Sequence, residues 1–478
     1  PESLIETAAL LDSFGDPGLV LQYLEAAGKS SRRTLTDDRE LARVHATHLV
    51  RQGRYAEAEE VLASIVPGAW ASMAFATVLA VIRAHAAVGA GTDEAEQLAH
   101  GAMLAARQQQ AHALERVARL LKALAGRSTE AISETTVAIG GTAPWHVSYL
   151  AEVYVDRLHL LDEAAIRIVV EAASRHPARW RVALRKHIDS RGTTNRPEPA
   201  RLLEHIGERE DVARLRKVAK SFRRASQDAE LGRLLARRVA HRINVADQGR
   251  VVIHAGERLI PGSSVRRKVL ALMCLLLARP DMALTRDQVL DALWPDLDPS
   301  IAVNSLNQTV YFLRRVFEED YVEDLSPGYL HHDSDVLWLD PELVSSQSVR
   351  CAEFIRSLDS QPTPDQVDRL VDLYHGRFAL DFEYEEWAAA YRDSMHASYL
   401  EIVERSVLAD VASGHYDRGI RIARRALEIA PEAEQIEVTL LRLYRLTGAH
   451  SAAAEQYSHY AGALRADLGV DAPALDSL

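Results

Sequence analysis

Small and apolar residues recur at helical spacing over most of the chain, and this pattern constrains the fold more than any other feature. Near the carboxyl end, Gly414 and Gly448 lie 34 residues apart, and each precedes a run of small residues at three- or four-residue intervals. A period of this length, with glycine between paired helices, is typical of tetratricopeptide-like repeats. The pattern therefore predicts stacked helix pairs near the carboxyl end, with an irregular helical bundle as the alternative.

A weaker form of the same pattern fills residues 1–240, where strand-forming patterns are nearly absent. We expect its small and apolar positions to lie at contacts between helices. These positions are Ala58, Leu62, Ile65 and Pro67; Ala95, Ala99 and Ala102; Ala131, Thr135 and Ala138; and Ala165, Val169 and Ala172. The first half of the chain is thus predicted to be a helical-repeat unit for sensing or for binding a partner.

Charge and cysteine content narrow the functional classes. A formal net charge of −12 opposes a protein that coats nucleic acid by general phosphate neutralisation, so any DNA binding must be local. Cys274 and Cys351 lack the spacing of a disulfide framework or zinc site, which favours the reducing cytoplasm. The longest apolar run noted, near Leu275, is shorter than a membrane span, and we expect no membrane partner. The sequence starts at Pro1, with neither an initiator Met nor a secretory signal, so we expect it to be cut from a longer protein.

A small α+β module is predicted in the middle of the chain. β-rich stretches occur at 251–254 and 336–339, and the first should form a hairpin that turns at Ala255-Gly256. Three helices should follow, then a second hairpin that turns near 333–335. The second helix should begin at the Thr285 and Gln288 capping box. The third should have Asp298 as its N-cap and end near Phe317.

The two faces of the third helix differ in chemistry. Val303, Leu306, Val310, Leu313 and Phe317 form one apolar stripe. At about 100° per residue, Asn304, Gln308 and Arg315 project opposite that stripe, flanked by Ser305, Tyr311 and Phe312. Amides pair with adenine, arginine with guanine or phosphate, and an apolar ring with the thymine methyl group. The helix is therefore predicted to read the major groove, and a solvated or protein-binding face is the alternative.

Several motifs in order resemble a known family. They are Arg267-Lys268-Val269-Leu270, the run from Thr285 to Trp294, Asn304-Ser305-Leu306, Leu313-Arg314-Arg315 and Gly328-Tyr329. They resemble the OmpR-type winged helix of Streptomyces antibiotic regulatory proteins. The following segment, with Trp387 and the closing run 464–470, is similar to the bacterial transcriptional activation domain of those regulators. The resemblance covers about residues 245–478.

Together, the patterns and the resemblance predict a mainly α chain in which tetratricopeptide-like repeats flank a small α+β winged-helix domain. The predicted domains are 1–240, a helical-repeat sensor or interaction domain; 241–343, a winged-helix DNA-binding domain; and 344–478, a transcriptional activation domain. The resemblance implies an activator that binds double-stranded DNA as a homodimer and recruits RNA polymerase. The expected DNA contacts are Asn304, Ser305, Gln308, Tyr311, Phe312, Arg314, Arg315, Arg266, Arg267, Arg286, Tyr329 and His331. The loop expected to face polymerase contains Trp294, Pro295, Asp296 and Asp298.

Two features oppose DNA binding, and other functions are also open. Residues 241–340 contain ten Arg or Lys against fifteen Asp or Glu, and Phe312 stands where a polar residue is expected. One alternative is a repeat scaffold whose winged helix binds only protein. Another is the carboxyl half of a signal-transducing ATPase regulator whose amino-terminal helices sense a regulatory ligand. We expect no enzyme, cofactor or metal site, because no catalytic or ligand spacing occurs and Gly28-Lys29-Ser30 lacks the strand and glycine of a phosphate loop.

Overall fold

A computed structural model describes residues 1–14, 17–65, 72–191, 197–223, 226–333, 335–468 and 470–475. Pro67 and Ser334, for which the sequence predicts a repeat position and a turn, lie outside these residues. The chain divides into two compact units, Pro1–Val239 and Ala240–Leu478. It is mainly helical with a small sheet region, which confirms the predicted fold class.

The amino-terminal unit is built of short helices that pack against their neighbours in sequence. Gly53 and Gly91 follow helices with positive φ angles of 64° and 72°, a conformation that glycine adopts without steric cost. The helices are α1 Glu2–Phe14, α2 Pro17–Gly28, α3 Leu35–Arg51, α4 Tyr55–Ser64, α5 Met73–Ala90, α6 Ala95–Gln108, α7 His112–Gly126, α8 Thr129–Gly140, α9 Pro144–Tyr149, α10 Ala151–Val155, α11 Glu163–Arg175, α12 Pro177–Arg191, α13 Glu198–Ile206, α14 Arg209–Ala219 and α15 Arg233–Arg238.

Most of the predicted repeat positions in this unit are buried. They include Ala58, Leu62, Ile65, Ala95, Ala99, Ala102, Ala165, Val169 and Ala172. The prediction is wrong in α8, where Ala131 and Ala138 are exposed and Ile132, Thr136 and Ile139 are buried. The larger isoleucine side chains bury more apolar area than alanine, so they determine which face of α8 packs inward.

Helix α5 is the most apolar long helix of the described residues. By length and composition alone, Met73–Ala90 could cross a membrane, and half of this window is buried inside the protein. Among the described residues, α5 is therefore a longer apolar helix than α16, which contains the run near Leu275. Burial of this extent is also found in core helices of water-soluble proteins.

The carboxyl-terminal unit contains two small sheets and nine further helices among its described residues. One sheet has the order β3-β2-β1-β7, and the other has the order β4-β6-β5. The strands are β1 Ile243–Ala246, β2 Val252–Ala255, β3 Arg258–Pro261, β4 Ala283–Thr285, β5 Leu330–His332, β6 Val336–Leu339 and β7 Val344–Ser346. The helices are α16 Arg267–Leu277, α17 Arg286–Leu293, α18 Pro299–Phe317, α19 Gln347–Ser357, α20 Pro364–Leu373, α21 Glu386–Ser413, α22 Tyr416–Ile429, α23 Glu434–Leu446 and α24 His450–Leu468.

The first sheet joins the winged-helix segment to the segment that follows it. Strand β7 begins directly after the boundary predicted at 343, yet it pairs in parallel with β1, with Ile243 opposite Val344. The Asp247 carboxylate, just after β1, accepts hydrogen bonds of 2.6 Å from the hydroxyls of Ser346 and Ser348. Apolar residues from both segments also form one continuous core. The two segments therefore fold around a shared interior.

Helix α18 has the predicted ends. Asp298 is its N-cap and accepts a 3.0 Å hydrogen bond from the Ser300 amide, and the helix ends at Phe317. Leu306, Val310, Leu313 and Phe317 are buried as predicted. Val303 is only half-buried, because the buried face is rotated toward Ala302 and Thr309. The Thr285 capping box at the start of α17 is also present.

Candidate DNA-binding site

The outward face of α18 is open to solvent within its unit. Asn304, Gln308 and Arg315 are exposed, and Tyr311 is 47% exposed. The Arg315 guanidinium donates from Nε and Nη2 to the Glu319 carbonyl, at 3.3 and 3.2 Å, which holds it along the end of the helix. Ser305 is half-buried, and its hydroxyl donates to the Ile301 carbonyl at 2.9 Å. Two amides, a phenol and a guanidinium thus share one accessible helix face.

Phe312 carries a cation on its ring. The Arg266 guanidinium carbon lies 3.9 Å from the ring centroid, within the range of a cation–π interaction. Arg266 forms no ion pair with any described residue. The apolar residue that seemed out of place in a recognition helix therefore positions a positive charge beside it.

A second arginine extends the positive charge along the same side. Arg258 joins Arg266 and Arg315 in lining a shallow cleft around Phe312. Its Nη2 donates to the carbonyls of Val316 and Phe317 at 2.9 and 3.1 Å, at the carboxyl end of α18. Its Nη1 lies 3.5 Å from the Glu319 carboxylate, which lines the same cleft and neutralises part of this charge. Sequence reasoning missed Arg258, because no local motif indicates that β3 lies beside the end of α18.

Two of the predicted DNA contacts, Tyr329 and Arg314, hold parts of the fold together. Tyr329 is only 2% exposed, and its hydroxyl donates to the His241 carbonyl at 2.6 Å. Its side chain therefore belongs to the core and cannot meet DNA in this conformation. Arg314 is half-buried and donates to the Tyr321 hydroxyl at 3.0 Å and to the Leu330 carbonyl at 3.3 Å. Arg314 thus connects α18 to β5.

Other predicted contacts lie apart from the open face of α18. Arg267 donates to the Glu385 carboxylate at 2.9 Å, so it faces the following segment. Arg286 begins α17, with Nε 3.9 Å from the Asp287 carboxylate. His331 stacks on Trp338 with ring centroids 4.7 Å apart, and its Nε2 lies 3.5 Å from the Asp340 carboxylate. Arg267 and His331 thus each have an acidic neighbour within the unit.

The loop before α18 is exposed from Pro295 to Asp298. Hydrogen bonds from the Ser300 hydroxyl and amide hold the pKa of Asp298 below its ordinary value. Trp294 is half-buried, and the centroid of its ring lies 5.9 Å from the Lys268 ammonium nitrogen. Sequence reasoning missed two apolar side chains here, Leu297 at 41% and Ile301 at 54% exposure. Both are apolar residues outside the apolar stripe of α18, and this position could have indicated their exposure.

One more polar group adjoins the open face. Asn307 is exposed and lies about 60° around the helix from Asn304, at 100° per residue. The sequence prediction did not include Asn307, although the helical projection places it on the same face. Its amide adds a third group with both donor and acceptor capacity.

The segment after β6 has a recognisable family identity. Residues 346–478 match the family model described as "Bacterial transcriptional activator domain". Residues 346–478 are therefore called the activator domain after the family that they match. A match to this family implies a bacterial transcriptional regulator, and members of the family are generally not enzymes. The activator domain contributes the last residue of β7 and helices α19 to α24 to the carboxyl-terminal unit.

Two further comparisons complete the description. No curated protein gives a significant match to the chain. Among solved structures, the chain is similar to Mycobacterium tuberculosis EmbR in complex with a low affinity phosphopeptide, with 19% sequence identity and a TM-score of 0.34. The similarity covers 49% of this chain and 63% of that chain, which is less than two thirds of it.

Proposed function

We propose that this chain is a sequence-specific DNA-binding transcription activator in which α18 reads the major groove. The observation that supports this most directly is the exposure of Asn304, Gln308 and Arg315 on one face of a helix whose opposite face is buried. An α-helix fits the major groove, where each base pair presents a distinct pattern of donors and acceptors. Non-enzymatic function accords with the activator domain.

Each group on this face has a defined role in the proposal. The amides of Asn304 and Gln308 pair with adenine edges, and Arg315 pairs with guanine or a phosphate. The exposed Tyr311 ring lies against a thymine methyl group. Arg266 and Arg258 bind phosphates and set the position of the helix, because phosphate contacts orient a protein without reading sequence. The local positive charge of this side offsets the acidic balance of the module.

The test is selection of bound sequences from a random DNA pool by the intact chain, followed by affinity measurements on the selected site. Gln308→Ala should weaken specific binding by roughly 1 to 3 kcal/mol and relax the preference at one base pair. Gln435→Ala removes an exposed amide from α23 in the activator domain and should leave affinity unchanged. Absence of an enriched sequence, or equal affinities of the two variants, would refute the assignment.

We also propose that the loop 294–298 contacts RNA polymerase. Leu297 and Ile301 are both exposed at the start of α18, and together they give an apolar contact that a partner can bury. Leu297→Ser should lower transcription in a purified system while DNA affinity stays constant. Unchanged transcription at saturating DNA occupancy would contradict this role.

Binding as a homodimer is the remaining part of the proposal. Two copies side by side would read two half-sites, and the spacing of the selected half-sites would then match one helical turn of DNA or a multiple of it. The same selection experiment therefore tests it: a single unrepeated half-site, bound by one copy in a sedimentation measurement, would exclude the homodimer.

A further inference from the structure

An apolar cavity lies where the winged-helix segment meets the activator domain. It has a volume of about 230 Å³ and lies between the carboxyl end of α16 and helices α19 and α21. Val349, Ala352, Ile355 and Met395 supply much of its wall. An enclosed apolar cavity of about 150 Å³ binds benzene in another protein. The space here accommodates a somewhat larger apolar body.

Two cations border this apolar wall. Arg279, just after α16, and Arg356, near the end of α19, line the cavity, and both residues are exposed. Neither has an ion-pair or side-chain hydrogen-bond partner among the residues that the structure describes. Other arginines of the activator domain are paired with acids, as Arg377 is with Glu432 and Arg418 with Asp410. Arg279 and Arg356 thus place positive charge without a protein counter-ion at the edge of the cavity.

We infer that this cavity binds a small apolar carboxylate. The apolar body would fill the space lined by Ile355 and Met395, and the carboxylate would accept hydrogen bonds from Arg279 and Arg356. Guanidinium groups match carboxylates in geometry, and charge-assisted hydrogen bonds of this kind are about twice as strong as neutral ones. A neutral ligand of equal shape would leave both cations without a partner.

The position of the cavity gives such a ligand a route to both segments. Tyr391 of α21 lines the cavity, and Val349 in its wall adjoins Ser348, whose hydroxyl donates to Asp247 beside β1. A ligand seated against Tyr391 contacts α16, α19 and α21 together. It therefore acts as an effector that stabilises the junction between the DNA-reading segment and the activator domain.

Calorimetric titration of the intact chain tests the inference, with naphthoate as the probe and naphthalenemethanol as a neutral molecule of similar shape. We expect naphthoate to bind roughly tenfold more tightly, since hydrogen bonds to charged groups are the stronger ones. The double variant Arg279→Gln and Arg356→Gln should remove that preference. Arg350→Gln, an exposed arginine of α19 that does not line the cavity, should retain it.

A cavity-filling variant locates the site independently of charge. Ala352→Trp places an indole in the space and should abolish naphthoate binding, while the exposed-arginine variants keep the fold intact. Failure of naphthoate to bind the natural chain, or equal binding by the double arginine variant or by Ala352→Trp, would overturn the inference. No DNA is present in these titrations, so their outcome is independent of the proposed recognition of DNA by α18.

Discussion

The joint between β1 and the activator domain gives a quantitative test of how firmly the two segments are held together. In Asp247→Ala, the acceptor for the Ser346 and Ser348 hydroxyls and for the Ser348 amide, at 2.6, 2.6 and 2.8 Å, is lost. The hydroxyls can still bond to each other, at 3.0 Å, but the buried Ser348 amide loses the acceptor that it has in the natural chain. A buried donor without a partner costs roughly 1 to 3 kcal/mol. We expect a loss of about 2 to 3 kcal/mol in the stability of the carboxyl-terminal unit.

Asp247→Asn separates hydrogen bonding from charge. It keeps one acceptor and removes the ionisation, so it should cost less than alanine. Burial raises the pKa of Asp247 above its ordinary value of 3.8, although hydrogen bonds from Ser346 and Ser348 oppose the shift. The natural chain therefore loses stability as the pH rises above this value and the buried carboxylate ionises. The asparagine variant lacks this loss, and its stability relative to the natural chain should increase with pH.

The assay is urea unfolding read by hydrogen exchange in peptides from 243–255 and 340–350, which reports this unit separately from the amino-terminal one. Ser345→Ala is a control, because its hydroxyl bonds to Asn244 on the exposed side of the same strands. Equal stability of Asp247→Ala and the natural chain, or a stability difference between Asp247→Asn and the natural chain that is independent of pH, would refute the reasoning.

Three further predictions concern glycine packing, neighbouring arginines and a buried ion pair. Gly89→Ala would bring a methyl group onto the Tyr55 ring and should destabilise the amino-terminal unit by roughly 1 to 3 kcal/mol. The methyl group of Gly101→Ala meets no atom within 4 Å, so this variant should stabilise α6 by about 0.5 to 1 kcal/mol. Thermal unfolding in which both variants change stability in the same direction would contradict this. Arg266→Ala should weaken DNA binding and reduce its salt dependence by about one phosphate contact, while Arg267→Ala, whose side chain is paired with Glu385, should not; anisotropy titrations at several salt concentrations distinguish them. Burial alone would raise the pKa of Asp211, but hydrogen bonds from Arg185 and the Glu208 amide, together with the charge of Arg214, lower this pKa. The contribution of Asp211 to stability should therefore disappear as the pH falls below 3.8. In acid unfolding, Asp211→Asn should lose less stability than the natural chain over that pH range.

Local signals in the sequence were sufficient to predict α18. Asp298, Pro299 and the apolar spacing each act within a few residues, so the ends of the helix and its open face could be read without knowledge of the fold. The capping box at Thr285 was predictable for the same reason.

Features that depend on contacts between distant residues were not predictable. Strands β1 and β7 have four and three residues and pair across about 100 positions of sequence, so neither shows an alternating pattern long enough to recognise. The stacking of Arg266 on Phe312 joins the residue just before α16 to a residue of α18. Tyr329 matched a family motif at the correct position, but its burial against His241 depends on the assembled core.

The parallel pairing of β1 with β7 limits how this protein can be taken apart. A fragment cut at residue 343 would lack the outer strand of a four-stranded sheet and leave the backbone groups of β1 open to another chain, a common cause of aggregation. Transfer of the DNA-reading segment to another regulator would therefore require the whole stretch from Ala240 onward, including the strand supplied by its neighbour. A chimaera joined at 343 would expose the unpaired edge of β1 and would be prone to aggregate.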